Sequence, residues 1–258
     1  LQGNIKVEAE YKVRFILIRK RLADWGFRHM FCKLGLLVSL TFMLVPQSFA
    51  SGDIGEVLEA KGKVQIKTIK AERLDGVSGV GISVGDLVKV RKKSFAVISM
   101  KDESKFQIGA KTTIVFDDFL YDSENQKLRA RIIDGALAYD GQKKLPNSTR
   151  EITANGFTLT VRGTKFAGKF GPSSQIVLLK GAVGVEGKGD EKLLSGALKS
   201  VIFDNSGVGD PFTMPIEDIK AFFLDHGLNF ELLVGPDYEQ NLSKGGASCV
   251  GSNCGNAP

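Results

Sequence analysis

Apolar and polar side chains alternate with a period of two residues through most of residues 56–203, and this alternation constrains the fold more than any other feature. Successive side chains of an extended strand point to opposite faces of a sheet, so each such segment has one apolar face. Valine, isoleucine, threonine and phenylalanine are well represented, and these residues fit a pleated, half-buried surface. No long segment of this region has helical periodicity. The pattern therefore predicts an all-β fold.

Glycine and other turn residues divide the region into short predicted strands. These are residues 56–60, 63–69, 87–91, 95–100, 105–108, 112–117, 127–134, 136–139, 151–154, 157–161, 165–169, 175–179, 182–186 and 198–203. Six glycines recur at intervals of 21 to 26 residues, at positions 62, 85, 109, 135, 156 and 181. The run IIDGAL at 132–137 is also echoed by LLKGAV at 178–183. Together these features predict a wound β-sandwich or roll with solenoid-like corners.

The chain changes character after Gly209. Apolar residues at 216, 219, 222 and 223 lie on one helix face, Pro215 suits a helix start, and Gly227 suits a helix end. We therefore predict a β domain over 53–205, then a linker and one short C-terminal helix within 211–242. Residues 243–258 are rich in Gly, Ser and Asn and predict a flexible tail.

The front of the chain resembles a processing segment. Within residues 30–50, a short basic stretch precedes thirteen mostly apolar residues, and small residues then precede a cleavage site between Ala50 and Ser51. Thirteen helical residues rise roughly 20 Å, short of the roughly 30 Å hydrocarbon core, which favours a cleaved signal peptide over a retained anchor. Residues 1–29 are interpreted as a non-native extension, the alternative being a short cytoplasmic region.

The charge distribution argues against a nucleic-acid partner. The net charge is +6, but residues 1–33 carry +5 of it, so that only +1 remains for residues 51–258. A strong phosphate-binding footprint is not visible in that remainder. We expect no cofactor and no stable membrane span after cleavage.

Few residues could carry catalysis or bind a metal. After the signal segment the chain has one histidine, His226, at the end of the predicted helix, where a capping role is favoured over catalysis. No cluster has metal-ligand spacing, and the acidic residues around Asp117 and Asp122 predict a solvated turn. Cys249 and Cys254 are the only cysteines beyond the signal, and they predict a disulfide in an oxidising compartment.

The run VRGTKF at 161–166 allows two interpretations. Arg162, Gly163 and Thr164 could face a ligand, since arginine offers a planar fork of donors. Alternatively, Gly163 supplies a special backbone angle at a strand break, Thr164 a local hydrogen bond, and Arg162 a partner for a carboxylate across the sheet. The second, structural interpretation is favoured, with Val161 and Phe166 as strand residues on either side.

These segments resemble the FecR domain, the extracytoplasmic module named after a ferric-citrate regulator. The most distinctive piece is the VRGTKF run, with Val161, Arg162, Gly163, Thr164 and Phe166. The other pieces follow in the family's order over residues 55–203: GEV at 55–57, GKVQI at 62–66, VGDLV at 84–88, FAVISMKDESKFQI at 95–108, DGAL at 134–137 and LKGAVGV at 179–185.

The resemblance implies a non-enzymatic, β-rich domain outside the cytoplasmic membrane. In membrane-anchored members it relays an outer-membrane signal to a sigma factor. Here a cleavable signal favours a periplasmic or secreted binding or scaffolding module, whose partner is an envelope protein or polysaccharide. The alternative is an anchored FecR-type regulator that uses residues 1–29 inside the cell. A hydrolase is disfavoured, because a single histidine offers no plausible catalytic constellation.

Overall fold

The computed structural model describes residues 52–141 and 147–238, and this part of the chain is mostly β-strand. Its sixteen strands are β1 (Asp53–Lys61), β2 (Val64–Lys67), β3 (Arg73–Asp75), β4 (Gly81–Ser83), β5 (Leu87–Val90), β6 (Phe95–Met100), β7 (Lys105–Ile108), β8 (Thr113–Tyr121), β9 (Asn125–Asp140), β10 (Asn147–Ala154), β11 (Phe157–Phe170), β12 (Ser173–Gly187), β13 (Asp190–Ser195), β14 (Lys199–Asp204), β15 (Gly207–Val208) and β16 (Phe212–Thr213). The predicted all-β class is confirmed.

Two helices, α1 (Ile216–Asp225) and α2 (Phe230–Val234), lie where one short C-terminal helix was predicted. Gly227 has a positive φ and ends the first helix, and the Asn229 side chain then caps the second by accepting a hydrogen bond from the Leu232 amide at 3.0 Å. The sequence pattern missed α2 because five residues are too few to show helical periodicity.

The described strands form one continuous sheet. Its longest path runs β15, β14, β12, β11, β10, β9, β7, β6, β1 and β4. Strands β8, β5, β2 and β3 continue outward from the first half of β9, while β13 joins β12 and β16 joins β14. Strands β9 and β10 are parallel, whereas β9 is antiparallel to β7, β8 and β11.

The long strands β9, β11 and β12 each change neighbours near a glycine. β9 pairs with β8 and β10 before Gly135 and with β7 and β11 after it. β11 passes from β10 to β9 around Gly163, and β12 passes from β14 to β13 around Gly181. The pattern predicted each long strand as two, because the glycine interrupts the alternation. The chain bends there and continues, since a residue without Cβ reaches the required positive φ.

The main core lies on one face of this rolled sheet. Alternate residues of the strands point into it, and an aromatic group from β7, β8, β9 and β11 lies within it. Its ring centroids are 5.4 Å apart for Phe106 and Phe116, 4.8 Å for Phe106 and Tyr139, and 5.8 Å for Tyr139 and Phe166. Such pairs contribute about 0.5–1.5 kcal/mol each beyond the burial of their area.

A second, smaller core lies on the opposite face, between the sheet and the helices. The sheet contributes mainly small side chains here, including Ala136, Ala138 and Ala167, and the helix α1 contributes Ile219 and Phe223. Strand residues of opposite parity face the main core, so these stretches of β9, β11 and β12 are buried on both sides. Alanine at the helix-facing positions lets the helices approach the sheet closely.

Polar contacts attach the C-terminal segment, defined as residues 214–238, to this face. Lys165 Nζ donates a hydrogen bond to the Leu233 carbonyl oxygen at 2.6 Å, and the Tyr238 hydroxyl donates one to the Leu179 carbonyl oxygen at 2.7 Å. The segment is therefore held by both apolar packing and hydrogen bonds.

Alkaline pH should weaken this attachment. Burial raises the pKa of Tyr238 from 10.0 to about 12, so the folded state holds the phenolic proton more tightly than the unfolded chain does. The contribution is complete below the unfolded pKa and is lost as the pH rises through the folded one. We expect the free energy of unfolding to fall more steeply between these values in the wild type than in Tyr238→Phe. Denaturant unfolding followed by circular dichroism measures both slopes, and equal slopes would contradict the prediction.

Candidate functional site

The VRGTKF motif lies at the bend of β11. Val161 and Phe166 are buried in the main core on either side of the bend, as strand residues of the two halves. Gly163 has a φ of 60° and lies within the register shift between Arg162 and Lys165 in the pairing of β11 with β12, and a second shift follows between Lys165 and Phe166. The motif therefore coincides with the point at which β11 changes neighbours.

Thr164 fixes this bend through three hydrogen bonds. Its buried hydroxyl donates to the Ala182 carbonyl oxygen at 2.8 Å and accepts from the Arg162 amide at 3.1 Å. Its own carbonyl oxygen accepts from the Gly141 amide at 2.9 Å. These contacts provide hydrogen-bond partners for backbone groups that the interrupted strand pairing leaves without one. The geometry agrees with the structural interpretation of the motif.

The bend of β11 packs directly against the bend of β12. A Cβ atom at Gly181 would collide with the carbonyl oxygen of Gly163 and would lie 3.0 Å from that of Arg162. Gly181 also has a φ of 87°. The motif glycine and the glycine of the echoed LLKGAV run are therefore in contact. The Gly181 position leaves no room for a ligand, whereas a Cβ at Gly163 would meet no atom within 4 Å.

The ion pair at the bend involves a different cation from the one expected. Arg162 is exposed and forms no ion pair within residues 52–141 and 147–238. The neighbouring Lys165 instead pairs with Asp140, with Nζ and Oδ2 3.0 Å apart. Lys165 lies directly opposite Asp140 in the pairing of β11 with β9, whereas Arg162 precedes that pairing and its side chain is directed into solvent.

Other singled-out residues occupy structural positions. His226 is the C-cap of α1, with Nδ1 2.7 Å from the Phe222 carbonyl oxygen and its ring centroid 4.5 Å from that of Phe222. Asp117 pairs with Arg131, and backbone amides of the turn donate to Asp122 and lower the pKa of its carboxyl group. Among the described residues, no group of three or more His, Cys, Asp or Glu could hold a metal ion.

The remaining predicted sites, the Cys249–Cys254 disulfide and the cleavage site at Ala50 and Ser51, lie outside the described residues. Residues 1–50 and 243–258, with their predicted signal peptide and tail, lie outside them as well.

Sequence reasoning missed a buried polar cluster. Asp102 and Arg150 are both almost fully buried, with Oδ2 and Nη2 3.8 Å apart. Asp102 also accepts hydrogen bonds from the Ser104 amide and hydroxyl, and from Gln126 Nε2 at 2.8 Å. One signal was present: Arg150 is in phase with the inward-facing Ile152, so alternation alone places it inside. Its partner is far away in sequence and could not be read from the pattern.

A cluster of cations lies on the solvent side of β2, β3 and β5. We call this surface the basic face and define it by Gln65, Lys67, Arg73, Lys89 and Arg91. These residues line a cleft of about 300 Å³ together with Ile66 and Leu87, and no acidic residue lines it. Within the described part of the chain, the ion pairs include none of its four cations.

The fold and these surfaces define a β-rich module whose distinctive motif builds a sheet corner and whose outer face offers a charged cleft. Residues 86–184 match the family model described as FecR protein. The resemblance predicted from the sequence is thereby confirmed. The GEV and GKVQI runs at 55–66 lie before the matched range, and the VRGTKF motif lies inside it.

The solved structures offer weaker similarities. Two crystal structures of a candidate anti-sigma factor from Parabacteroides distasonis ATCC 8503, at 2.50 and 1.65 Å resolution, each have a TM-score of 0.45 and 12% identity to this chain. Each similarity covers 53% of this chain and 63% or 64% of the other, so this chain spans less than two thirds of those relatives. No curated protein matches the chain.

In residues 52–141 and 147–238, no helix is both long and apolar enough for a membrane span.

Proposed function

We propose that this protein is a non-enzymatic, exported binding or scaffolding module of the bacterial cell envelope. Its partner would be an envelope protein or polysaccharide, and it would act in the periplasm or outside the cell. The observation that carries the proposal is the basic face, a concave surface with four exposed cations on the outer side of a FecR-type sheet. Such a surface attracts an oppositely charged partner and speeds its association.

Two further observations support a role without catalysis. The most distinctive motif forms a packed corner, in which Gly163 and Thr164 serve the backbone and Phe166 serves the core. The ring nitrogen Nδ1 of His226 lies within hydrogen-bond distance of a backbone carbonyl at the end of α1. The motif and His226 therefore both have structural explanations, which leave no need for a chemical role.

The second candidate is a membrane-anchored FecR-type regulator that relays an extracytoplasmic signal to a sigma factor. The FecR domain at 86–184 favours it, because the resemblance implies such a relay in anchored members. In this alternative the apolar stretch at residues 34–46 stays uncleaved, and residues 1–29 act inside the cell.

Localisation separates the two candidates. We expect the protein in the periplasm or medium, with a mature N-terminus at Ser51, because small residues precede the cleavage site. Cell fractionation with N-terminal sequencing measures this. An Ala50→Leu variant is the matched control, since it should block cleavage and give the size of the unprocessed chain. An intact N-terminus retained in the inner membrane would overturn the exported form and support the regulator.

Pull-down of the exported protein from envelope extracts tests for a partner. We expect specific recovery of one envelope component, which is either a protein or a polysaccharide that can be removed by digestion with a glycosidase. Absence of any bound component, at low ionic strength as well as at physiological ionic strength, would refute the binding role.

A further inference from the structure

We infer that the basic face binds an acidic polysaccharide, a polymer whose repeating sugars carry carboxylate groups. The inference rests on the proposed function and specifies the partner and the surface that would recognise it. The inference rests on the arrangement of positive charges on β2, β3 and β5. The kind of polymer is inferred from the groups that these side chains can bind.

The cations form a regular grid, because three strands carry them at outward-facing positions. The pairing of β2 with β3 sets Lys67 directly opposite Arg73, and the pairing of β2 with β5 sets Gln65 opposite Lys89. Alternate residues of a strand are roughly 7 Å apart and neighbouring strands roughly 5 Å apart. A chain molecule lying in the cleft would therefore meet a positive group at each short step, as a polymer with a repeated negative charge requires.

Repulsion among these closely spaced cations destabilises the protein when no ligand is bound. Like charges directly opposite each other on neighbouring strands are destabilising, and Lys67 faces Arg73 in this way. Lys89 lies diagonally from Lys67, which adds to the repulsion. The nearest outward-facing carboxylate on these strands is Asp75, opposite Gln65, and it forms no ion pair within the described residues. A bound polyanion would remove this repulsion.

Arg91 is held ready for a ligand. Its Nε and Nη2 donate to Oε1 of Gln65 at 3.1 and 2.9 Å. This contact fixes the direction of the guanidinium fork, which is the group best suited to bind a carboxylate through two parallel hydrogen bonds. It also orients the Gln65 amide, whose NH₂ group can donate to a sugar hydroxyl.

The surroundings favour a polysaccharide over a protein. Protein interfaces have a desolvated centre with aromatic or aliphatic anchors. The cleft has only Leu87, which is half-buried, and the buried Ile66 as apolar lining, and its remaining side chains are an amide and cations. Such a surface recognises charge and hydroxyl groups while staying largely hydrated.

Binding of polygalacturonate to the exported protein, measured by isothermal titration calorimetry, tests the inference. We expect binding that weakens as salt rises, and no binding of the neutral polymer dextran, because the contacts are charge-assisted. The Lys67→Glu/Lys89→Glu variant should bind at least about tenfold more weakly, since each basic residue near an anionic surface contributes about 1 kcal/mol.

The matched control is Lys169→Glu/Lys188→Glu, which makes the same change in net charge at exposed lysines outside the basic face. It should bind as the wild type does, and circular dichroism should show both variants folded. Equal loss in both variants, absence of polygalacturonate binding, or a preference for vesicles of anionic phospholipid would overturn the inference. Envelope pull-down that succeeds and survives Lys67→Glu/Lys89→Glu would refute the polysaccharide site and leave the proposed function standing.

Discussion

Replacing Asp102 by alanine is expected to lower the free energy of unfolding by about 3–5 kcal/mol. The change leaves the buried Arg150 without this carboxylate and removes the acceptor of the Ser104 and Gln126 hydrogen bonds. A buried charge that loses a neighbouring carboxylate has less to offset its desolvation penalty, and small domains have only about 5–15 kcal/mol of stability in total. Urea unfolding followed by circular dichroism measures the difference.

Asp122→Ala is the matched control for this prediction. The Asp122 carboxylate also accepts hydrogen bonds from backbone amides, those of Glu124 and Asn125, but it is exposed at the turn between β8 and β9. Water can replace it, so we expect a loss of about 1 kcal/mol or less. Similar losses in the two variants would show that the Asp102 cluster contributes no more than a surface turn does.

Replacing Gly181 by alanine is expected to lower the free energy of unfolding by about 3 kcal/mol or more. A left-handed backbone costs a residue with a Cβ roughly 1–2 kcal/mol. At this position the Cβ would also collide with the Gly163 carbonyl oxygen and force the bends of β11 and β12 apart. The loss of stability measures how tightly the family motif packs against its neighbouring strand, and thermal and urea unfolding both report it.

Gly189→Ala separates the collision from the backbone strain. Gly189 has a φ of 89°, close to the 87° of Gly181, but a Cβ there would meet no atom within 4 Å. It lies in the turn between β12 and β13 and should show only the strain. If both variants lose the same stability, the contact between the two bends is unimportant, and the interpretation of the motif as a packed corner fails.

Local patterns predicted the strands that carry apolar alternation. Strands β6 and β7 were predicted with their observed bounds, because a buried strand leaves a clear period of two in the sequence. Strands β3 and β13 were missed. β3 has the sequence RLD and is exposed throughout, while β13 has a single buried residue, so neither shows an apolar face. Short edge strands depend on their neighbours for their conformation, which local sequence does not specify.

The VRGTKF motif likewise combines local features that the sequence predicts with a contact that only the tertiary structure sets. Sequence reasoning favoured a sheet corner, because a glycine between two alternating runs indicates a bend, and the geometry around Gly163 agrees with it. The same reasoning paired the wrong cation, since the choice between Arg162 and Lys165 depends on which of them lies opposite Asp140. That register is set by the pairing of β11 with β9, a contact between residues far apart in the chain.

The sequence by itself determined the β class, the positions of most strands, the bend glycines and the resemblance to the FecR domain. These properties follow from side-chain alternation and backbone freedom, which act over a few residues. Only the tertiary structure decided that Asp102 meets Arg150 and that Lys67, Arg73 and Lys89 share one face. The physical reason is that these groups come together through strand pairing, and the pairing is chosen by the whole core.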